Sequence, residues 1–125
     1  MGRVQAEGLY PSPGHAERVT LAVLAGLGAQ IGGDEYGELA ALLPREAAAA
    51  FSSRPPAPRP VTGYGFVQEL AARRGTGHGP ARWDAGSVLQ QIARLAGPDL
   101  VRRILDGLPD GYALLFGIAQ LTPRG

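Results

Sequence analysis

The two histidines are the side chains best suited to chemistry, because an imidazole can carry protons and bind metals near neutral pH. His15 and His78 are both predicted to lie in loops that precede a long helix, with Glu17 and Asp84 close behind them. A shared metal or proton-transfer site is one interpretation of this pattern. The other, which we favour, is that both are solvated loop residues, so we predict no bound metal and no cofactor.

A run of glycines and acids, Gly32-Gly33-Asp34-Glu35 followed by Tyr36, resembles the GGDEF signature of diguanylate cyclases. In that family the signature lies on a β-hairpin past the middle of a longer domain, and earlier acidic residues complete a metal site. Here no Asp precedes Gly32, and the flanking apolar residues have helical spacing. We therefore interpret the run as the end of one helix and the start of the next.

Motifs for nucleophilic chemistry are also missing from the sequence. It contains no Cys, no Gly-x-Ser-x-Gly elbow and no Gly-Lys-Ser/Thr phosphate loop. We therefore predict no catalytic residue and lean against an enzyme.

Five residues remain as candidates for contacting a ligand or a partner. His78, Arg82 and Trp83 lie close together in sequence and could border a groove, whereas Arg102 and Arg103 form a basic pair on a predicted helix. A groove between helices would be lined by aromatic residues, for which the candidates besides Trp83 are Tyr64, Tyr112 and Phe116.

Composition narrows the class of protein. The chain has 125 residues and a net charge of +1, too little basic excess for a typical nucleic-acid-binding protein. No apolar stretch approaches the roughly 20 residues of a membrane span, and the N-terminus lacks a signal-peptide core. We expect a soluble, cytoplasmic protein with no membrane or nucleic-acid partner.

The charges are unevenly distributed along the chain. Residues 1–51 carry a net charge of −3 and residues 52–125 carry a net charge of +4, which favours self-association or an acidic partner.

An internal repeat is the most informative feature. Shifted by 65 residues, segment Ala22–Phe51 aligns with segment Ser87–Phe116 without a gap. The identities fall on apolar and turn positions, where structure would require agreement. They are Val23/Val88, Leu24/Leu89, Gly32/Gly97, Asp34/Asp99, Leu43/Leu108, Pro44/Pro109, Ala48/Ala113 and Phe51/Phe116.

Both copies have helical periodicity. The predicted buried stripes of the first long helix of each copy are Val19, Val23, Leu24, Leu27 and Ile31, and Val88, Leu89, Ile92, Leu95 and Ala96. A further helix, Tyr64 to Arg74, buries Phe66, Val67, Leu70 and Ala71 by the same criterion. Gly32 and Gly97 suit the left-handed position that ends a helix, and Asp34 and Asp99 suit the capping of the next helix.

These patterns predict an all-α fold. We expect a single helical-bundle domain over residues 1–125, made of two tandem repeats related by a pseudo-twofold axis. Repeat one covers residues 1–51, with a short first helix at Met1–Leu9, and repeat two covers residues 64–120. A proline-rich connector, residues 52–63, joins them and should be extended. A second connector, residues 75–80, should lead into a helix that begins near Arg82 and Trp83.

One family shares this pattern. The order A-V-L-x-x-L-x-x-x-I-x-G, L-A-x-L-L-P and, later, L-P-x-x-Y-x-x-L-F resembles the bacterial proteins grouped as domain of unknown function 2267. The match extends over Glu17–Phe51 and Phe66–Phe116. The resemblance implies a duplicated, all-helical domain, and it brings no activity, cofactor or catalytic residue with it.

Two functions from different classes fit the sequence. The first is a non-enzymatic interaction module that contacts a protein partner, or a second copy of itself, through the surface between the repeats. The alternative is a small-molecule-binding or biosynthetic helical protein with a groove near Trp83, His78 and Arg82.

Overall fold

The computed structural model describes residues 13–117 and confirms the all-α prediction there, with seven helices and no strand in that range. The helices are α1 (Pro13–Gln30), α2 (Gly33–Leu42), α3 (Arg45–Phe51), α4 (Gly63–Arg74), α5 (His78–Ala96), α6 (Pro98–Asp106) and α7 (Tyr112–Leu115). The predicted helix Met1–Leu9 and residues 118–120 of the predicted second repeat lie outside the described residues.

The two long helices, α1 and α5, contact each other and form the centre of the bundle. Helix α3 packs against α1, helices α4 and α7 pack against α5, and the short helices α2 and α6 pack against each other. One cluster of buried apolar residues runs through all of these contacts, from Val19 on α1 to Phe116 after α7.

The predicted apolar stripes of these helices are confirmed except at Leu95, which is exposed, and Ala96, which is partly buried. All five residues of the first stripe, which ends at Ile31 just after α1, are buried, as are all four of α4 and Val88, Leu89 and Ile92 on α5. The prediction that Leu95 is buried is wrong, because 44% of its surface is exposed. It lies two residues, and therefore about 200° around the helix, from Ala93, which packs on the core.

Two predicted helix ends differ in detail. At the junction of α1 and α2 the left-handed residue is Gly33, the first residue of α2, with φ of 67°, and not Gly32. Gly97 does have a positive φ of 87°. Asp34 and Asp99 lie in the first turns of α2 and α6, but neither N-cap has a side-chain hydrogen bond. The Asp99 carboxylate instead accepts hydrogen bonds from arginines one turn further along.

Helix α5 begins at His78, so the prediction of a start near Arg82 and Trp83 is wrong. His15 and His78 lie in the first turns of α1 and α5, so the prediction that both lie in loops is also wrong. Pro80 does not prevent the earlier start, because the N–H groups of the first helical turn need no partner within the helix.

The proline-rich connector is hydrogen-bonded to helices on both sides. The Ala57 amide donates to the carbonyl oxygen of Ala29, and the Val61 amide donates to Oε1 of Gln30, both over 2.8 Å. From the other side, the Tyr112 hydroxyl donates to the Val61 carbonyl oxygen over 2.8 Å. The connector therefore has a fixed path along the bundle between α3 and α4.

Candidate functional site

Two of the predicted site residues, His78 and Arg82, lie in one cavity, which we call the Tyr64 cavity. It has a volume of about 170 Å³ and lies among the N-terminal parts of α4 and α5 and helix α7. His78 and Arg82 are four residues apart on α5, so they share one face of that helix. Tyr64 and Leu114 also line it, and both are strongly exposed.

The imidazole of His78 is held in place from two sides. Its ring stacks on the Tyr64 ring, with 4.7 Å between centroids and 30° between planes. Its Nδ1 lies 3.1 Å from Oε1 of Gln68, one turn after Tyr64 on α4. Because Nδ1 makes this contact, Nε2 is the other ring nitrogen of His78.

The cavity owes its shape to a close crossing of two glycines. A Cβ on Gly63 would lie 2.5 Å from the carbonyl carbon of Gly111, so a larger residue could not stand there. Gly111 also has a positive φ of 99° at the start of α7. The contact brings the N-termini of α4 and α7 together and places Tyr64 and Leu114 around one opening.

Trp83 does not line this cavity, although the sequence grouped it with His78 and Arg82. One residue further along the helix, it points about 100° away from Arg82. Half of its surface is exposed, at 53%. Of the other predicted aromatic residues, Tyr64 lines the cavity, Tyr112 is buried, and Phe116 borders a separate groove between α5 and α6.

Arg102 and Arg103 lie away from the cavity, where α6 meets α2. Arg103 donates two hydrogen bonds to the Glu38 carboxylate, over 2.5 and 2.8 Å, and another to Asp99 over 3.2 Å. Glu35 is within 3.7 Å of the same guanidinium. Arg102 is more exposed and pairs with Asp99 over 2.7 Å. Arg103 thus ties α2 to α6.

This pairing changes the ionisation of both partners. The hydrogen bonds from Arg103, assisted by its charge, hold the pKa of the Glu38 carboxyl below its usual value. The same hydrogen bonds raise the pKa of Arg103. Both groups are therefore charged over the whole neutral range.

A second recess, which we call the connector groove, lies beside Arg103 and has a volume of about 370 Å³. It is bordered by the end of α1 and the start of α2, by the connector, and by the C-terminal half of α6. Its charged residues are Glu35 and Arg103. The apolar wall consists of Ile31, Pro56, Pro60, Ile104 and Leu108.

Metal ligands do not cluster in the part of the chain that the structure describes. Within residues 13–117, no three His, Asp or Glu side chains come together in a way that could hold an ion. The interpretation of His15 and His78 as a metal site with Glu17 or Asp84 therefore has no cluster to support it.

Three residues were not predicted from the sequence to take part in these contacts. Gln68 contacts His78, Leu114 lines the Tyr64 cavity, and Glu38 pairs with Arg103. Gln68 could have been found, because it follows Tyr64 by one helical turn and must share its face. Leu114 could not, since its place beside Tyr64 depends on tertiary contacts between α7 and α4, such as the Gly63–Gly111 crossing and the contact of Phe66 with Tyr112.

Comparison with known proteins places the chain in a family. No helix among residues 13–117 is both long and apolar enough to cross a membrane. No curated protein and no solved structure matches the chain. The model of one family, described as "Uncharacterized conserved protein (DUF2267)", matches residues 1–115. Because this match covers most of the sequence, the chain belongs to the DUF2267 family.

Proposed function

We propose that the chain is one domain built from two tandem helical units, related by a pseudo-twofold axis. The helix bounds support this, since α1 and α5 begin 65 residues apart and so do α2 and α6. A twofold axis between the units would bring each helix against its own counterpart. The contacts of α1 with α5 and of α2 with α6 fit that expectation, and Glu38 and Arg103, which pair directly, are also 65 residues apart.

On this framework, we propose a non-enzymatic interaction module that binds a protein segment in the connector groove. The observation that carries the proposal is the composition of the groove, whose walls come from the first unit, the connector and the second unit. Its volume of about 370 Å³ is roughly twice that of the Tyr64 cavity, at about 170 Å³. A recess that needs all three parts of the chain gives the duplicated fold a surface that neither unit has alone.

The chemistry of the groove suits a peptide with apolar and charged side chains. Ile31, Ile104 and Leu108 offer apolar surface, which is the main source of binding energy in water. Glu35 and Arg103 lie beside that surface and can orient a charged partner. Because Arg103 is already paired with Glu38, the charges there are fixed before a partner arrives.

The first test is a selection of binding peptides from a displayed library on the immobilised full chain. We expect peptides whose binding weakens at least tenfold in Leu108→Glu and in Pro56→Glu, which place a charge in the groove. Pro56 is exposed, so its substitution should leave the fold intact.

The matched control is Leu42→Glu, an exposed leucine on α2 that does not line the groove. It should bind the selected peptides as the unchanged chain does. If the selected peptides bind Leu108→Glu and Pro56→Glu as tightly as they bind the unchanged chain, the proposal is wrong. If the chain is a dimer in solution and both groove variants are monomers, the partner is a second copy.

The Tyr64 cavity supports a second candidate function, the binding or conversion of a small molecule. It brings His78 and Arg82 together beside an exposed aromatic ring, as a small-ligand site would require. A ligand from a metabolite panel that raises the melting temperature of the unchanged chain, and not of Arg82→Ala, would establish it.

A further inference from the structure

We propose that the Tyr64 cavity binds a small aromatic carboxylate, with the carboxylate on Arg82 and the ring between Tyr64 and Leu114. The inference rests on the second candidate function and names its ligand. It does not depend on the connector groove, which lies beside Arg103 on different helices.

Charge selects an anion. The residues that line the cavity include a guanidinium, an imidazole and a phenol, and no Asp or Glu. Among residues 13–117, no carboxylate pairs with Arg82, in contrast to Arg102 and Arg103. The planar fork of a guanidinium matches the two oxygens of a carboxylate and binds them with two parallel hydrogen bonds.

The surfaces beside Arg82 select an aromatic ring. The Tyr64 side chain is 65% exposed and is oriented by its stacking on His78, so one more ring can stack or pack at its edge. On the other side of the opening, Leu114 is 55% exposed, although it lies on a helix whose other apolar residues are buried. Val67 and Leu115 supply a buried apolar floor.

Size limits the ligand to a single ring. The volume of about 170 Å³ is below the usual range of roughly 300–1,000 Å³ for sites of drug-sized ligands. A cavity of about 150 Å³ is enough for one benzene ring in other proteins. A benzoate-like molecule therefore fits, and a nucleotide does not.

Histidine gives the site a second polar contact. Because Gln68 engages Nδ1, the Nε2 atom of His78 is the ring nitrogen that remains for a ligand. This nitrogen accepts a hydrogen bond when it carries no proton and donates one when it does, so a ring hydroxyl on the ligand has a partner in either state. Among aromatic carboxylates, we expect hydroxylated ones to bind more tightly.

The test compares four probes on the full chain by ligand-observed NMR and calorimetry. They are benzoate, acetate, benzyl alcohol and benzylamine, which separate the contributions of the ring and the charge. We expect benzoate to bind at least tenfold more tightly than each of the others. We also expect Arg82→Ala and Tyr64→Ala each to weaken benzoate binding at least tenfold, and Arg82→Lys to weaken it less.

The matched control is Arg102→Ala, an exposed arginine on α6 outside the cavity, which should leave benzoate binding unchanged. Benzoate binding no tighter than that of acetate, or equal in Arg82→Ala, overturns the inference. If benzoate fails and another metabolite raises the melting temperature through Arg82, the ligand class is wrong and the second candidate function stands. If no small molecule binds, both are wrong.

Discussion

Arg103 contacts three carboxylates on two helices, Glu35 and Glu38 on α2 and Asp99 on α6. The residues around Arg103 in the sequence do not predict these contacts. A basic pair on a helix predicts an exposed, partner-binding face, which describes Arg102 well, with 66% of its side chain exposed. Arg103 instead holds Glu38. The difference depends on the approach of α2 to α6, which is set by tertiary packing and cannot be read from local spacing.

Acid should weaken the Glu38–Arg103 pair. The pKa of Glu38 is lowered in the folded state, so its contribution to stability is complete above its ordinary value of about 4.5 and is lost as the pH falls through the lowered pKa. We expect a double-mutant cycle of Glu38→Gln and Arg103→Gln to show a small favourable coupling at pH 7. The coupling should be small because the pair is solvent-accessible, and it should vanish near pH 2.

Urea unfolding of the four proteins of that cycle at both pH values measures the coupling. The cycle is its own control, because the losses of the Asp99 and Glu35 contacts cancel between its two arms. A coupling near zero at pH 7, or one that survives at pH 2, would contradict the pairing.

At the scale of the helices, periodicity predicted most of what the structure contains. The apolar stripes of α1 and α4 are correct because those helices bury one continuous face. The two errors on α5 concern the burial of Leu95 and the residue at which the helix begins. Leu95 lies on the outer side of α5, and α5 starts early because glycine and proline are acceptable in a first turn.

Helix packing also depends on a glycine that periodicity did not single out. A Cβ on Gly28 would lie 1.8 Å from the carbonyl oxygen of Phe51, so the backbones of α1 and of the end of α3 are in direct contact there. We expect Gly28→Ala to lower the free energy of unfolding by about 1–3 kcal/mol, the usual cost of overpacking, as measured by urea unfolding.

Gly37 provides the matched comparison on α2. A Cβ there would meet nothing within 4 Å, and its position is exposed. Gly37→Ala should therefore raise the free energy of unfolding by roughly 0.5–1 kcal/mol, through helix propensity alone. Equal effects of the two substitutions would show that α1 and α3 are not in such close contact.

For the whole molecule, Val61 is the residue at which the connector is hydrogen-bonded to both α1 and α7. Its amide bonds to Gln30, the last residue of α1, and its carbonyl to Tyr112, the first residue of α7. Burial, and secondarily the charge of Glu69, raise the pKa of the Tyr112 phenol, so it remains a donor at alkaline pH. A proline-rich composition predicts an extended segment, but it does not predict where the segment is attached.

Removing the Tyr112 hydroxyl should loosen this attachment. We expect Tyr112→Phe to lower the free energy of unfolding by about 1 kcal/mol, because one hydrogen bond is lost and the ring still packs. Gln30→Leu should speed hydrogen exchange of the Val61 amide, which NMR can follow directly. Tyr64→Phe, at an exposed ring, is the control and should be neutral in stability. If both Tyr→Phe variants unfold alike, the connector is not held through Tyr112.

The attachment of Val61 also bears on how two copies of the chain could combine. Two copies of a chain can exchange an identical element when the segment that joins this element to the rest opens as a hinge. Here opening would have to break the bonds of Val61 to Gln30 and Tyr112 and that of Gly63 to Asp110. These three hydrogen bonds therefore oppose domain swapping through the connector.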